Sequence, residues 1–344
     1  MTRDGADTKK GTNSMGTIGF MDPLRSGPFA ALPSFMNLPH RSPERSLAAI
    51  LGVPFDCGMH PTRIGARQGP AAIREQSGLV RPFQPPQAPF NPLELLNAVD
   101  CGDAPVTSSL IEESFEAIET AADAIHQAGS APVAFGGDGS ISLPLMRAAA
   151  KHHSDLVVLH IDAHTDTYPG DGNDVHHRYN VATTFTRAAE EGIVDAAQSI
   201  HVGPRGPVML GHVFDHTREQ GYGLISGQDL YSTGLAETAA QLREAMAGRP
   251  VYLCFDMDFF DPSCAPGVCT PTWGGATARE GLSFVQALAG INFVAFDINT
   301  VSPPHDLGGM TAFLAATVAL ECLTLACMAP GIRRRMQTPP DLAR

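Results

Sequence analysis

The sequence predicts an α/β protein, a parallel sheet covered by helices on both faces, and three observations carry that prediction. Short apolar, β-prone runs alternate with longer segments of helical period. The runs are apolar at successive positions, as strands buried on both faces are. Two of them end in acidic and imidazole side chains, and ligands of such sheets gather at the carboxyl ends of the strands. At 344 residues, 43% hydrophobic and 17% charged, the chain is long and apolar enough for one large domain.

Residues 1–45 mix Gly, Pro, Ser and charges without period and read as an arm, and 331–344 read as a tail, leaving 46–330 as the folded domain. Strands are expected at 48–54, 96–100, 132–135, 156–162, 199–203, 251–256 and 291–298, each a short apolar run. Helices are expected at 69–76, 111–127, 143–151, 182–191, 234–246 and 278–289. The segment 310–329 is apolar enough to raise the question of a membrane span, yet it carries Glu321 among small and hydroxyl residues and reads as a terminal core helix. A polar start without an apolar core argues against export, so a cytoplasmic protein is expected. Seven cysteines with no C-x-x-C pair suggest buried, reduced thiols. The net charge of −13 argues against nucleic-acid and anionic-membrane partners, which demand clustered Lys and Arg.

The run Leu156–Ile161 delivers Asp162, His164 and Asp166 at alternate positions. On an extended chain these share one face. Burying two carboxylates with an imidazole is costly unless a cation compensates. A helix cap or a solvated turn would explain that segment alone. The run Val251–Phe255 repeats the device with Asp256 and Asp258, and five ligand-type side chains at two strand ends suit a pair of hard or borderline divalent ions. The oxygen-rich set favours manganese, with nickel, cobalt or iron as alternatives, over a closed structural zinc site. His160, on the strand face of Asp162, reads as a supporting or packing residue rather than a ligand. Asp138 with Ser140 after a glycine pair is also how a plain helix N-cap looks, and no Lys follows to make a phosphate loop.

In order and spacing, Phe135-Gly-Gly-Asp138-Gly-Ser140, His160-Ile-Asp162-Ala-His164-Thr-Asp166 and Phe255-Asp256-Met-Asp258-Phe-Phe-Asp261-Pro262 resemble the arginase and agmatinase (ureohydrolase) family. Residues 27–39, Gly52-Val-Pro-Phe-Asp56 and Gly65-Ala-Arg67-Gln-Gly69 are similar to its agmatinase and guanidinobutyrase branch. The resemblance implies a three-layer α/β/α fold with an eight-stranded parallel sheet, assembly as trimers or hexamers, and hydrolysis of a guanidine to urea and an amine. It implies that Asp162 and Asp256 bridge two metals, that His164 and Asp258 complete one site, and that Asp166 serves the other and the chemistry.

Three positions depart from the family pattern. Gly139 stands where the family has a metal-binding His, so fewer than two ions are expected. Thr300 stands where the family has a Glu that pairs with the guanidinium; a charged hydrogen bond of that kind is worth roughly 1.5–3 kcal/mol. Val181-Ala-Thr183 replaces a His-Gly-Thr run, and the nearby His176 and His177 stand either as substitutes at the substrate and as proton shuttle, or as an exposed polar loop. Two functional classes follow. One is an active hydrolase of a small guanidine, an N-substituted guanidine or biguanide included. The other is a low-activity subunit paired with a full-motif paralogue in a hetero-oligomer, as in ureohydrolases of the metformin-hydrolysing type.

Overall fold

The computed structural model describes residues 34–60, 62–170 and 174–337. The stretch 27–33 of the family resemblance, and most of the expected arm and tail, lie outside the described residues. One eight-stranded sheet runs through the fold: β1 Ala48–Val53, β2 Val99–Asp103, β3 Ala131–Gly136, β4 Val157–Ile161, β5 Ile200–Val202, β6 Gly223–Ile225, β7 Val251–Asp256 and β8 Phe293–Asn299. The strand order is β2-β1-β3-β8-β7-β4-β5-β6, and every neighbouring pair is parallel.

Alternation sorts each strand between two apolar layers, which makes the fold a three-layer α/β/α sandwich. In β7, Val251, Leu253 and Phe255 join one core, while Tyr252 and Cys254 join the other. In β4, Val157, Leu159 and Ile161 face the first core and Val158 the second. Helices Gly69–Gln76, Leu235–Ala245, Ala278–Ala287 and Met310–Met328 cover the first face; Ile111–Gln127, Ser142–Ala150 and Thr184–Glu190 cover the second. The Met310–Met328 helix is long and apolar enough to cross a membrane, but it is largely buried against β8 and its neighbouring helices. Its Glu321 is met by the Gln286 amide at 2.8 Å.

Seven strands fall where the sequence places them, within a few residues. The expected strand at 96–100 starts later, at Val99, because Leu96 closes a short helix, Pro92–Leu95, and Asn97 turns with φ 46°. The edge strand β6 was not expected; three half-buried residues carry too little pattern. Helices Val213–Glu219 and Gly227–Thr233 were missed for the same reason. Part of the expected arm is docked: Phe35 is fully buried beside Phe135, and its N–H donates to Asp100 at 2.9 Å. Likewise Ile332 and Met336 of the expected tail are buried. All seven cysteines are free thiols.

Thr277 and Glu280 form a reciprocal capping box at the start of Ala278–Ala287, each side chain accepting the other's backbone N–H. Thr277→Ala is expected to cost about 1 kcal/mol in chemical denaturation.

Candidate metal centre

β4 and β7 are neighbours in the sheet, with Ile161 opposite Phe255, so the residues that follow them emerge side by side at the carboxyl edge. β8 and β3 deliver Thr300 and Gly139 to the same edge. Asp162, Asp166, Asp256 and Asp258 are all buried there, and His164 is partly buried. His164 Nδ1 lies 3.2 Å from Asp162 Oδ1 and 3.0 Å from Asp258 Oδ2. Among the described residues, two groups have donor atoms close enough to share an ion: Asp162, His164 and Asp258, and His160, Asp162 and Asp166. Asp162 belongs to both. Asp256 lies outside both groups; its Oδ1 accepts the Thr300 hydroxyl and the Asp258 N–H, the latter at 2.7 Å.

His160 supports Asp162, since both its nitrogens are used: Nε2 reaches Asp162 Oδ2 at 2.9 Å and Nδ1 reaches His201 Nδ1 at 2.8 Å. Asp138 caps the turn Gly139–Ile141 through the Ser140 N–H and also accepts the Cys57 N–H at 2.7 Å, in line with the N-cap reading.

The charges ask for a cation. Burial, then the neighbouring Asp162, pushes the Asp166 carboxyl well up. Burial, then Asp258 and Asp162, does the same to Asp256. Burial would also raise Asp162, but the imidazoles of His160 and His164 outweigh it and hold that carboxyl well down. Burial would lower His164, yet Asp258 and Asp162 raise it well above its ordinary value. Asp162 and Asp258 therefore favour positive charge at His164 in the metal-free protein, and a divalent ion binds there in competition with protons. The donor set, carboxylates with one imidazole, fits a hard or borderline divalent ion.

Gly139 lies close against Asp166: a Cβ there would sit 3.2 Å from Asp166 Oδ2, tighter than an ordinary contact, and 4.0 Å from Val181 Cβ. Backbone strain collects at the same edge. Asp166 and Thr300 adopt φ of 51° and 66°, a region that costs of order 1–3 kcal/mol for residues other than glycine.

The cluster floors a cavity of about 700 Å³. Met59, Tyr168, Pro169, Val181 and Pro207–Leu210 wall it, and His60 and His177 also line it. His177 is thus at the cavity, whereas the neighbouring His176 is exposed and is not among the lining residues. Sequence reasoning missed His60, Thr270, Thr272 and Arg205. Thr272 Oγ1 lies 3.2 Å from His164 Nε2, and Arg205 holds the strand-end loops by donating to the carbonyls of Asp258 at 2.8 Å and Thr272 at 2.9 Å. The Arg205 signal was present in Gly203-Pro-Arg205, a glycine turn straight after β5.

The sequence profile of the arginase family matches residues 46–325. The chain belongs to the arginase family. It is 34% identical over 313 residues to a guanidinobutyrase of Pseudomonas aeruginosa, covering 89% of this chain and 95% of that protein. It is 36% identical over 301 residues to the mitochondrial guanidino acid hydrolase of Homo sapiens, covering 87% and 83%. Among solved structures, the proclavaminate amidino hydrolase of Streptomyces clavuligerus superposes with a TM-score of 0.81 at 34% identity, covering 88% of this chain and all of that one. The arginase-family chain is thus an enzyme of the ureohydrolase class, similar to guanidino-compound hydrolases over nearly its whole described length.

Proposed function

We propose that the chain hydrolyses the C–N bond of a guanidine carrying an uncharged, apolar substituent, releasing urea and an amine at a divalent-metal centre. Asp162, His164, Asp256 and Asp258, with Asp166, would hold the metal, manganese first and nickel as the alternative. The observation that carries the substrate class is the cavity wall. Apart from the floor acids, no Asp, Glu, Lys or Arg is among its described lining residues. Besides the floor acids, a distal carboxylate or ammonium would meet there, among the described residues, only polar side chains such as those of His60, His177, Asn180 and Thr270, and would lose hydration against the apolar wall.

A divalent ion so held supplies Lewis acidity and makes water nucleophilic near neutral pH. The chain's own residues do the rest. The floor acids attract the guanidinium and orient its carbon. The apolar wall takes the substituent and excludes water. Water adds to the carbon and gives a proton to the Asp166 carboxylate, the C–N bond breaks, and the departing amine takes that proton from Asp166; His177, which lines the cavity, would exchange protons with solvent. Thr300 has no carboxylate for the guanidinium and instead steadies Asp256 through its hydroxyl.

Gly139, Val181 and Thr300 favour a second reading, a subunit that keeps the fold and leaves most of the turnover to a full-motif paralogue in a trimer or hexamer. The metal-loaded chain, assayed alone for urea release on alkyl-, ω-carboxyalkyl- and ω-aminoalkylguanidines, separates the readings. The alkylguanidines are expected to exceed the charged ones at least about tenfold in kcat/KM. Equal or better turnover of a charged substrate would overturn the substrate class. Urea release only after a paralogue is added would establish the second reading.

A further inference from the structure

We infer that His201 is a positioning residue for Asp162, acting through the ring of His160. The inference rests on the proposed metal centre and adds the part of the scaffold that aims its central carboxylate. β4 and β5 are parallel neighbours with His160 paired to His201 in register, which sets the two rings side by side on one face of the sheet. The rings stand at 87° with centroids 4.9 Å apart, and their Nδ1 atoms are 2.8 Å apart. One hydrogen is shared between those two nitrogens. His160 Nε2 is left to donate to Asp162 Oδ2 at 2.9 Å. All three side chains are 1% exposed.

The surroundings of His201 are otherwise apolar. Phe185 and Tyr222 pack on it edge to face, with centroids 5.0 and 4.7 Å away, and the Tyr222 hydroxyl is turned off to the Phe185 carbonyl at 2.8 Å. His201 Nε2 is buried and has no hydrogen-bond partner. An apolar residue would suit this cage better, because a buried polar atom without a partner is unfavourable. What an apolar residue lacks is Nδ1. Without that atom His160 has no polar contact on its far side, only the Phe185 ring at 4.2 Å, and is free to turn Nε2 away from Asp162. Partners of this kind behind a ligand fix its direction and are worth roughly 10–100-fold in metal affinity.

The test titrates metal-free protein with Mn²⁺ by calorimetry, for wild type, His201→Phe, His201→Asn, His160→Phe and the His160→Phe/His201→Phe pair. His201→Phe keeps the aromatic packing and loses the hydrogen bond; it is expected to weaken Mn²⁺ binding about 10–100-fold while leaving the thermal midpoint of the metal-free protein in place. His201→Asn keeps a hydrogen-bonding atom at the δ position and is expected to restore affinity to within about threefold of wild type. On the His160→Phe background, His201→Phe is expected to add less than about twofold, since both changes cut one chain. Wild-type affinity in His201→Phe, equal losses in Asn and Phe, or multiplying losses in the pair would overturn the inference. If His201→Phe does not fold, His201→Leu against His201→Asn decides by the same comparison. A wild type that binds no Mn²⁺ would overturn the metal centre itself, whereas wild type and His201→Phe binding alike would overturn only the role of His201.

Discussion

Asp256→Asn is expected to make the metal-free protein more stable at neutral pH and, in the same molecule, to weaken divalent-metal binding at least about 100-fold, beyond the range typical of residues behind a ligand. The two effects have one cause. Asp256 is a buried carboxylate whose Oδ1 already accepts the Thr300 hydroxyl and the Asp258 N–H, and an amide oxygen keeps both bonds. What the substitution removes is charge. Burial and the neighbouring Asp258 and Asp162 raise the Asp256 carboxyl well above its ordinary value. For a carboxyl raised in the folded state, its contribution to stability is full below the unfolded pKa of about 4 and is lost as pH rises through the folded value. Each unit of that rise is worth about 1.4 kcal/mol at neutral pH. Asp166 has the same sign through burial and Asp162, and His164, raised by Asp258 and Asp162 against its burial, likewise loses stability as pH rises. Asp162 runs the other way: held well down against burial by His160 and His164, it stabilises the fold above the unfolded pKa and loses that contribution as pH falls. Metal-free wild type should therefore lose thermal stability as pH rises above the carboxylate range, and Asp256→Asn should lose less. Thermal unfolding with and without Mn²⁺ across pH checks both arms. A variant less stable than wild type when metal-free, or one with wild-type metal affinity, would contradict this account of the floor.

Gly139→His is expected to tighten the weaker metal site at least about tenfold, which corresponds to about 1.4 kcal/mol, and to raise the metal count toward two per chain. Three features allow it. Gly139 does not adopt a left-handed conformation, so a side chain brings no backbone strain. A Cβ would sit 3.2 Å from Asp166 Oδ2, which asks that side chain to give by a few tenths of an ångström, and 4.0 Å from Val181 Cβ. Asp166 and Asp162 are already close enough to share an ion but bring only carboxylates, because His160 is taken up by Asp162 and His201. Metal content after dialysis, measured for wild type and variant under equal loading, reads the effect. An unchanged count would contradict the assignment of position 139.

The floor of the site was legible because its logic is local. β4 and β7 are buried on both faces, so they read as unbroken apolar runs, and the acids at alternate positions past their ends stand out against them. The walls were not legible. Met59 and His60 follow β1, Tyr168 and Val181 follow β4, and Pro207–Leu210 follow β5; only the sheet brings these loops together, and none has a period. The partnership of His160 with His201 was hidden for a related reason, since 41 residues separate them and only the β4–β5 register pairs them. Likewise, Thr300 was assigned to the substrate only through the family resemblance, and its bond to Asp256 depends on a left-handed turn that the sequence does not announce.

The central claim is that the strand-end acids form a divalent-metal site, and calorimetric titration of the metal-free wild type with Mn²⁺, in two buffers of different protonation enthalpy, tests it most directly. The expected result is saturable binding of at least about one ion per chain with protons released on binding, because the surroundings of Asp166, Asp256 and His164 favour their protonated forms and a metal competes with protons for those groups. Absence of saturable binding, or binding with no proton release, would contradict it.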